Sequence, residues 1–229
     1  LERVIRGVMH FRQDVYPQNK DLFGTLAEGQ HPNVLFITCS DSRIDPNMLT
    51  GSAPGRLFIC RNAGNIIPPH SNETGGMTAS IEYAVAVLGV RHIIICGHTD
   101  CGAVKGALDM ASVEGLPHVK EWLSHTRSAM EIVRERHQLP AGHRIDDCHL
   151  DEAIEENVLQ QVQHIKTHPI VAAKLATQKI QLHGWVYHID SGEIRCCGHN
   201  SNEFHKFDEY YAEALQQLAQ EDAAQQAPE

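Results

Sequence analysis

Two short stretches of this chain hold residue types that can do chemistry: Cys39-Ser40-Asp41-Ser42-Arg43 and His98-Thr99-Asp100-Cys101. Each follows an apolar run, Val34-Leu35-Phe36-Ile37 in one case and Ile93-Ile94-Ile95 in the other. Such runs read as buried strands, which puts both stretches at strand ends. In open α/β sheets, ligands bind outside the carboxyl ends of the strands. Two thiolates, Cys39 and Cys101, and one imidazole, His98, form a ligand set suited to Zn²⁺, and a fourth position left to water is the mark of a catalytic zinc site. Cys101-Gly102 opens a helix, where the thiol's pKa is lowered and the adjacent backbone N–H can meet an oxyanion.

Charge counting says what such a zinc needs. Two thiolates neutralise the metal, so it acidifies its water less than a three-histidine shell, where the bound-water pKa falls to about 7. Asp41, two residues beyond a ligand, can accept a hydrogen bond from that water. Arg43 can hold Asp41 in a bidentate pair and keep the carboxylate off the metal. Without Arg43, Asp41 becomes a fourth ligand and shuts the site.

The elements that must position these residues can be read from periodicity. Residues 2–16 carry apolar positions at helical spacing and form an amphipathic helix that Pro17 stops; a second short helix covers residues 21–27. Strands are expected at 33–38, 57–60 and 92–96, with a short helix from Pro46, a loop at Arg61-Asn62-Ala63-Gly64-Asn65, and a helix from about Thr74 to Leu88 ended by Gly89. Further helices are expected at 102–108, within 116–137, from a cap at Asp151 to Pro169, and at 170–177. A strand at 180–189 turns at Ser191-Gly192 into an antiparallel partner at 193–197. A last helix spans 207–218, and the tail from about Gln220 is expected to be disordered. The predicted fold is therefore α/β: a mostly parallel central sheet of four strands plus an antiparallel edge strand, helices on both faces, and an N-terminal helical arm. Residues 1–205 read as a single domain, with 1–30 an arm that packs either on its own domain or on a partner subunit, and 206–229 as the C-terminal helix and tail.

Composition bounds the function. The 229 residues suffice for one domain with a real core, and 7 cysteines, few and odd in number, fit a reduced intracellular protein better than a disulfide framework. A formal charge of -10 argues against nucleic acid or an anionic membrane as partner. No apolar run approaches a membrane span and no signal-peptide pattern opens the chain, so a cytoplasmic location is expected.

Cys39-x-Asp41-x-Arg43 together with His98-x-x-Cys101 resembles the β-class carbonic anhydrases, in their plant-like branch. The likeness runs from the first helix to about His188 and includes Arg61-Asn62-Ala63-Gly64-Asn65 and Ile81-Glu82-Tyr83. It implies a zinc lyase that hydrates CO₂ reversibly to bicarbonate and a proton by way of zinc-bound hydroxide. It further implies Cys39, His98 and Cys101 as metal ligands and Asp41 and Arg43 as the catalytic dyad. Gln30, Phe58 and Tyr83 match pocket positions that come from the neighbouring subunit of a dimer. Ala63 stands where plant enzymes carry Val, and Gly102 N–H matches the oxyanion donor. In the family such N-terminal helices wrap a partner subunit, so the resemblance implies a homodimer or higher even oligomer. The run Leu182-His183-Gly184-Trp185-Val186-Tyr187 and the C-terminal segment resemble the carboxysomal members, which implies encapsulation with a carboxysome scaffold protein.

Two other functions were weighed against it. One is hydrolysis of a CO₂ analogue, carbonyl sulfide or CS₂, on the same scaffold. The other is a non-catalytic assembly module with structural zinc, which the arginine beside the fourth candidate ligand disfavours. Of the other cysteines, Cys60 and Cys96 read as core and Cys148 has no assigned role. Cys196-Cys197 read as two ordinary thiols rather than a redox switch, because a disulfide between neighbours is strained.

Overall fold

The computed structural model describes residues 1–72, 75–198 and 200–225. Among these, six strands form one sheet in the order β2-β1-β3-β4-β5-β6: β1 Val34–Cys39, β2 Leu57–Asn62, β3 His92–His98, β4 Gln181–Tyr187, β5 Ile194–Gly198 and β6 His205–Lys206. The first four are parallel neighbours, and β5 and β6 add on antiparallel. The predicted four parallel strands and antiparallel edge are thus present. The additional β6 is two residues long, too short to leave a periodic signal.

The helices are α1 Glu2–His10, α2 Tyr16–Gln18, α3 Lys20–Ala27, α4 Pro46–Thr50, α5 Gly76–Glu82, α6 Gly102–Leu108, α7 Pro117–Leu123, α8 Arg127–Arg136, α9 Leu150–Lys166, α10 Pro169–Ala176, α11 Phe207–Tyr210 and α12 Ala212–Gln225. Four of these differ from the periodicity reading for local reasons. Helical geometry passes through Pro17 instead of stopping there. Upstream, a π turn at Phe11–Val15 pairs Tyr16 N–H with Phe11 five residues back, a widening that accommodates a residue lacking its own donor. The long helix expected within 116–137 is broken at Ser124–Thr126, where the Ser124 and Thr126 hydroxyls donate to carbonyls three residues back. Asp151 lies in the first turn of α9 and His149 stands at its cap. Helix α12 runs past Gln220 to Gln225, in keeping with its Ala, Gln and Glu content. Residues 226–229 and Thr74, the expected start of α5, lie outside the described residues.

Alternation along the strands sends successive side chains to opposite faces, and each face has its own core. Leu35, Ile37, Cys39, Ile93 and Ile95 point into the larger one, filled by Ile81 of α5, Val85 of the π turn Tyr83–Val87 that follows it, Val104 of α6, Met130 and Val133 of α8, and Ile154 and Val158 of α9. Phe36, Ile94, Cys96 and Trp185 form the smaller one, covered by Leu49 of α4, Phe207 and Tyr210 of α11, and Tyr211. Trp185 Nε1 donates to the Tyr211 hydroxyl at 3.1 Å, so the C-terminal segment is fastened to the sheet by a polar contact as well as by packing.

Helix α9 lies unusually close to the sheet because glycines face it. A Cβ on Gly97 would stand 2.7 Å from Val158 Cγ2, and one on Gly184 would stand 3.0 Å from Val158 Cγ1. Cys196 and Cys197, both buried free thiols, point to opposite faces of β5, which rules out a bond between them in this fold. Burial pushes each of these thiols up to about 12.

Candidate active site

The site is built at the carboxyl ends of β1 and β3, the adjacent central strands. Cys39 ends β1 and His98 ends β3, and the register Thr38↔Cys96 sets them side by side. Beyond His98 the chain reverses through Asp100, whose φ of 59° is in the left-handed region that Asp tolerates. That turn places Cys101 at the cap position of α6.

Cys39, His98 and Cys101 are all buried, and their ligand atoms lie within 4.8 Å of one another. The two sulfurs are 3.9 Å apart, near the separation that two Zn–S bonds of about 2.3 Å at a tetrahedral angle require. His98 Nδ1 donates to the Thr99 carbonyl at 2.9 Å, which leaves the lone pair on Nε2. That Nε2 is fully buried and has no hydrogen-bond partner. A buried unpaired acceptor is costly, and a metal ion between it and the two sulfurs is the partner it lacks. The donor set therefore fits a divalent zinc-type cation.

Of the two sulfurs, Cys39 is the one prepared for deprotonation, whereas Cys101, expected from its place at a helix start to be lowered, is not. The Cys101 thiol, opposed by burial and joined by contacts from His98 and from Gly64 N–H at 3.4 Å, pulls Cys39 down to about 4. Cys101 in turn is pushed up by donating to Cys39 and by burial. Metal ligation requires both sulfurs as thiolates, so a cation bound here would displace the thiol proton.

Asp41 stands beside this triad under tight control. Arg43 Nε and Nη2 donate to its two oxygens at 3.0 and 2.8 Å, and Arg43 N–H adds a third bond at 2.9 Å. This hydrogen bonding holds the Asp41 carboxyl well below the usual carboxylate range. Asp41 Oδ2 sits 3.9 Å from His98 Nε2, next to the ligand atoms and turned toward the guanidinium. Arg43 is itself anchored, donating from Nη1 to Asp100 Oδ2 at 2.9 Å, while Lys105 also binds Asp100.

Residues 34–194 match the model of the family described as carbonic anhydrase. The chain is 45% identical over 210 residues to a carbonic anhydrase of Synechococcus elongatus, covering 91% of this chain and 76% of that one. It is 43% identical to one of Pseudomonas aeruginosa, covering 89% and 90%. Its fold superimposes on the β-carbonic anhydrase CcaA with a TM-score of 0.84 at 41% identity, over 90% of this chain and 91% of that one. A tetrameric β-carbonic anhydrase of Sordaria macrospora superimposes with a TM-score of 0.74 at 30% identity, over 86% and 97%.

The chain belongs to the β-class carbonic anhydrases.

Not all residues expected at the pocket of this carbonic anhydrase meet within one chain. Phe58 pairs with Leu35, whereas the strand neighbour of Cys39 is Asn62. Four residues of strand separate the two rungs by about 13 Å. Phe58 instead lies with Tyr83, their rings 6.0 Å apart, and Tyr83 is 44% exposed. Gln30 is exposed just ahead of β1. Ala63 and Gly102, by contrast, flank the triad from the loop after β2 and the first turn of α6. A Cβ on Gly64 would meet Ala103 Cβ at 3.0 Å, which shows how closely these two segments approach.

Three supporting residues were not singled out from sequence. Arg61 donates from Nε to the Cys39 carbonyl at 3.0 Å and from Nη2 to the Asp41 carbonyl at 2.7 Å, pinning the loop that carries both. Asn157 of α9 donates to the Gly64 carbonyl at 3.0 Å, and Gln161 accepts from Ile67 N–H at 2.8 Å. Asp100 was noted only as a motif member. The available signal for Asn157 and Gln161 was two amides on the apolar face of a helix, where a buried polar group needs a partner.

Proposed function

We propose that this carbonic anhydrase hydrates CO₂ at a zinc ion held by Cys39, His98 and Cys101, with Asp41 and Arg43 as the working pair beside it. The observation that carries the proposal is the buried, unpartnered His98 Nε2 facing two sulfurs 3.9 Å apart. Zinc, when bound, supplies a Lewis acid that makes water a nucleophile near neutral pH. Asp41, ionised and held by Arg43 at both oxygens, would accept a hydrogen bond from a water at the site and is kept from swinging toward the ligand atoms. Gly102 N–H lies in the first turn of α6, where an amide has no carbonyl one turn back, and is suited to meet an oxygen of the product.

The rest of the pocket comes from a second copy of the chain. Phe58, Tyr83 and Gln30 of a partner would supply an apolar wall and one amide donor for a small apolar substrate, with Ala63 on the chain's own side. Their separation from Cys39 within one chain and the exposure of Tyr83 support this arrangement. Encapsulation with a scaffold protein is a further part of the reading, resting on the C-terminal segment; pull-down of scaffold protein by the full chain, lost when residues after Arg195 are deleted, tests it, and absence of binding ends it.

The test of the zinc reading pairs metal content with CO₂ hydration. Cys101→Ala should lose the zinc of this site and activity together. Arg43→Ala should retain the zinc of this site and lose most activity, and full activity in that variant would contradict the role given to the pair. Turnover of carbonyl sulfide or CS₂ in preference to CO₂ would favour the hydrolase alternative.

A further inference from the structure

A second group of ligating side chains lies away from the Cys39 triad, where the end of α8 meets the start of α9. His137 follows the last residue of α8, His149 caps α9, and Glu152 lies in its first turn. Their ligand atoms lie within 4.8 Å of one another. The two imidazole rings are 4.0 Å apart at 37°, and His137 Nε2 is 2.6 Å from Glu152 Oε2. Among the described residues the ring nitrogens of His149 have no protein hydrogen-bond partner, its contact being the face of His137.

The surroundings orient this group as outer residues do around metal ligands. Arg136 Nη1 binds the other oxygen of Glu152 at 3.1 Å, and its Nη2 binds the buried Glu156 at 3.1 Å. Arg136 thus fixes Glu152 with Oε2 turned to the imidazoles, and its own charge is met by Glu156. The dipole at the start of α9 opposes a cation there, and Asp151, Glu152 and Glu156 in the first two turns offset it.

We propose that His137, His149 and Glu152 form a second metal site, for a borderline divalent cation of the zinc, cobalt or nickel type. Two imidazoles and a carboxylate suit such ions and leave the remaining coordination positions to water. Binding would replace the direct His137–Glu152 hydrogen bond and tie the end of α8 to the start of α9.

The experiment uses full-length protein whose cysteine site is already filled with zinc. Titration with Zn²⁺ should reveal a second equivalent per chain in the wild type and only one in His137→Ala and in His149→Ala, with CO₂ hydration retained in both. Co²⁺ added to the zinc-filled wild type should give visible ligand-field bands without the intense near-ultraviolet sulfur-to-cobalt absorption that thiolate ligation produces. Total uptake of one zinc by the wild type, a second zinc persisting in both variants, or sulfur-to-cobalt absorption from the added ion would each overturn the proposal.

Discussion

The Asp41 carboxylate receives three hydrogen bonds from one residue, Arg43, and that residue is tied down by Asp100. A planar guanidinium can hold both carboxylate oxygens at once and an ammonium cannot. Arg43→Lys is therefore expected to keep the charge and the metal, yet to lower kcat for CO₂ hydration by about 10- to 100-fold, the cost common for residues that orient a metal site from outside. A stopped-flow comparison of the zinc-replete variant with wild type checks this. The Cys39–His98–Cys101 cluster and the Asp41–Arg43 pair were legible in the sequence because their spacing after two strands is short and distinctive. The use of Asp100 was not, since it depends on one residue adopting a left-handed backbone. Nor was the use of Arg61, whose reach to the Cys39 and Asp41 carbonyls depends on strand register.

Helix α9 is the element that holds the site from behind. Its Val158 nests where Gly97 and Gly184 leave no side chains, and its Asn157 and Gln161 satisfy the loop after β2. Gly97→Ala should cost about 1–3 kcal/mol through overpacking, read as a lower Tm, and Val158→Ala in the same chain should recover part of it. The loop is also held by two histidines in neutral form: His164 Nδ1 donates to the Ile67 carbonyl at 2.9 Å and His168 Nε2 to the Pro68 carbonyl at 3.1 Å. Burial lowers the pKa of both, with His125 near His164 and His70 near His168 acting in the same direction. The unfolded chain then takes up protons that the folded chain refuses, so stability falls as pH drops below the ordinary histidine value of about 6.5 toward the lowered folded values. Urea unfolding between pH 8 and 5 should show that loss, and His168→Gln, which keeps a donor without a titration, should reduce it. The parallel strands, their antiparallel addition and the helix alternation could be read from sequence, whereas the break at Ser124–Thr126 and the passage of helical geometry through Pro17 could not. They turn on side-chain bonds to the backbone and on a π turn, and periodicity is blind to both.

At the scale of the whole molecule, the arm has apolar residues that the described residues of its own chain leave exposed. Val4, Ile5, Val8 and Met9 are each more than half exposed, and α1 has no buried residue. Phe11, Tyr16 and Phe23 cluster with one another and give the arm a shape without attaching it to the sheet. Such a surface calls for a partner, and Phe58, proposed for the pocket, sits four residues along β2 from the rung of Cys39. Deleting residues 1–30 should therefore convert an even oligomer to monomer in sedimentation and abolish most CO₂ hydration while leaving zinc bound; an active monomer would contradict the shared pocket. The central claim, that the Cys39–His98–Cys101 triad with Asp41 and Arg43 hydrates CO₂ on zinc, is tested most directly by stopped-flow CO₂ hydration with the zinc-replete protein. The account predicts a rate well above buffer that vanishes when zinc is removed and returns when it is restored, and a rate equal to buffer with zinc bound would contradict it.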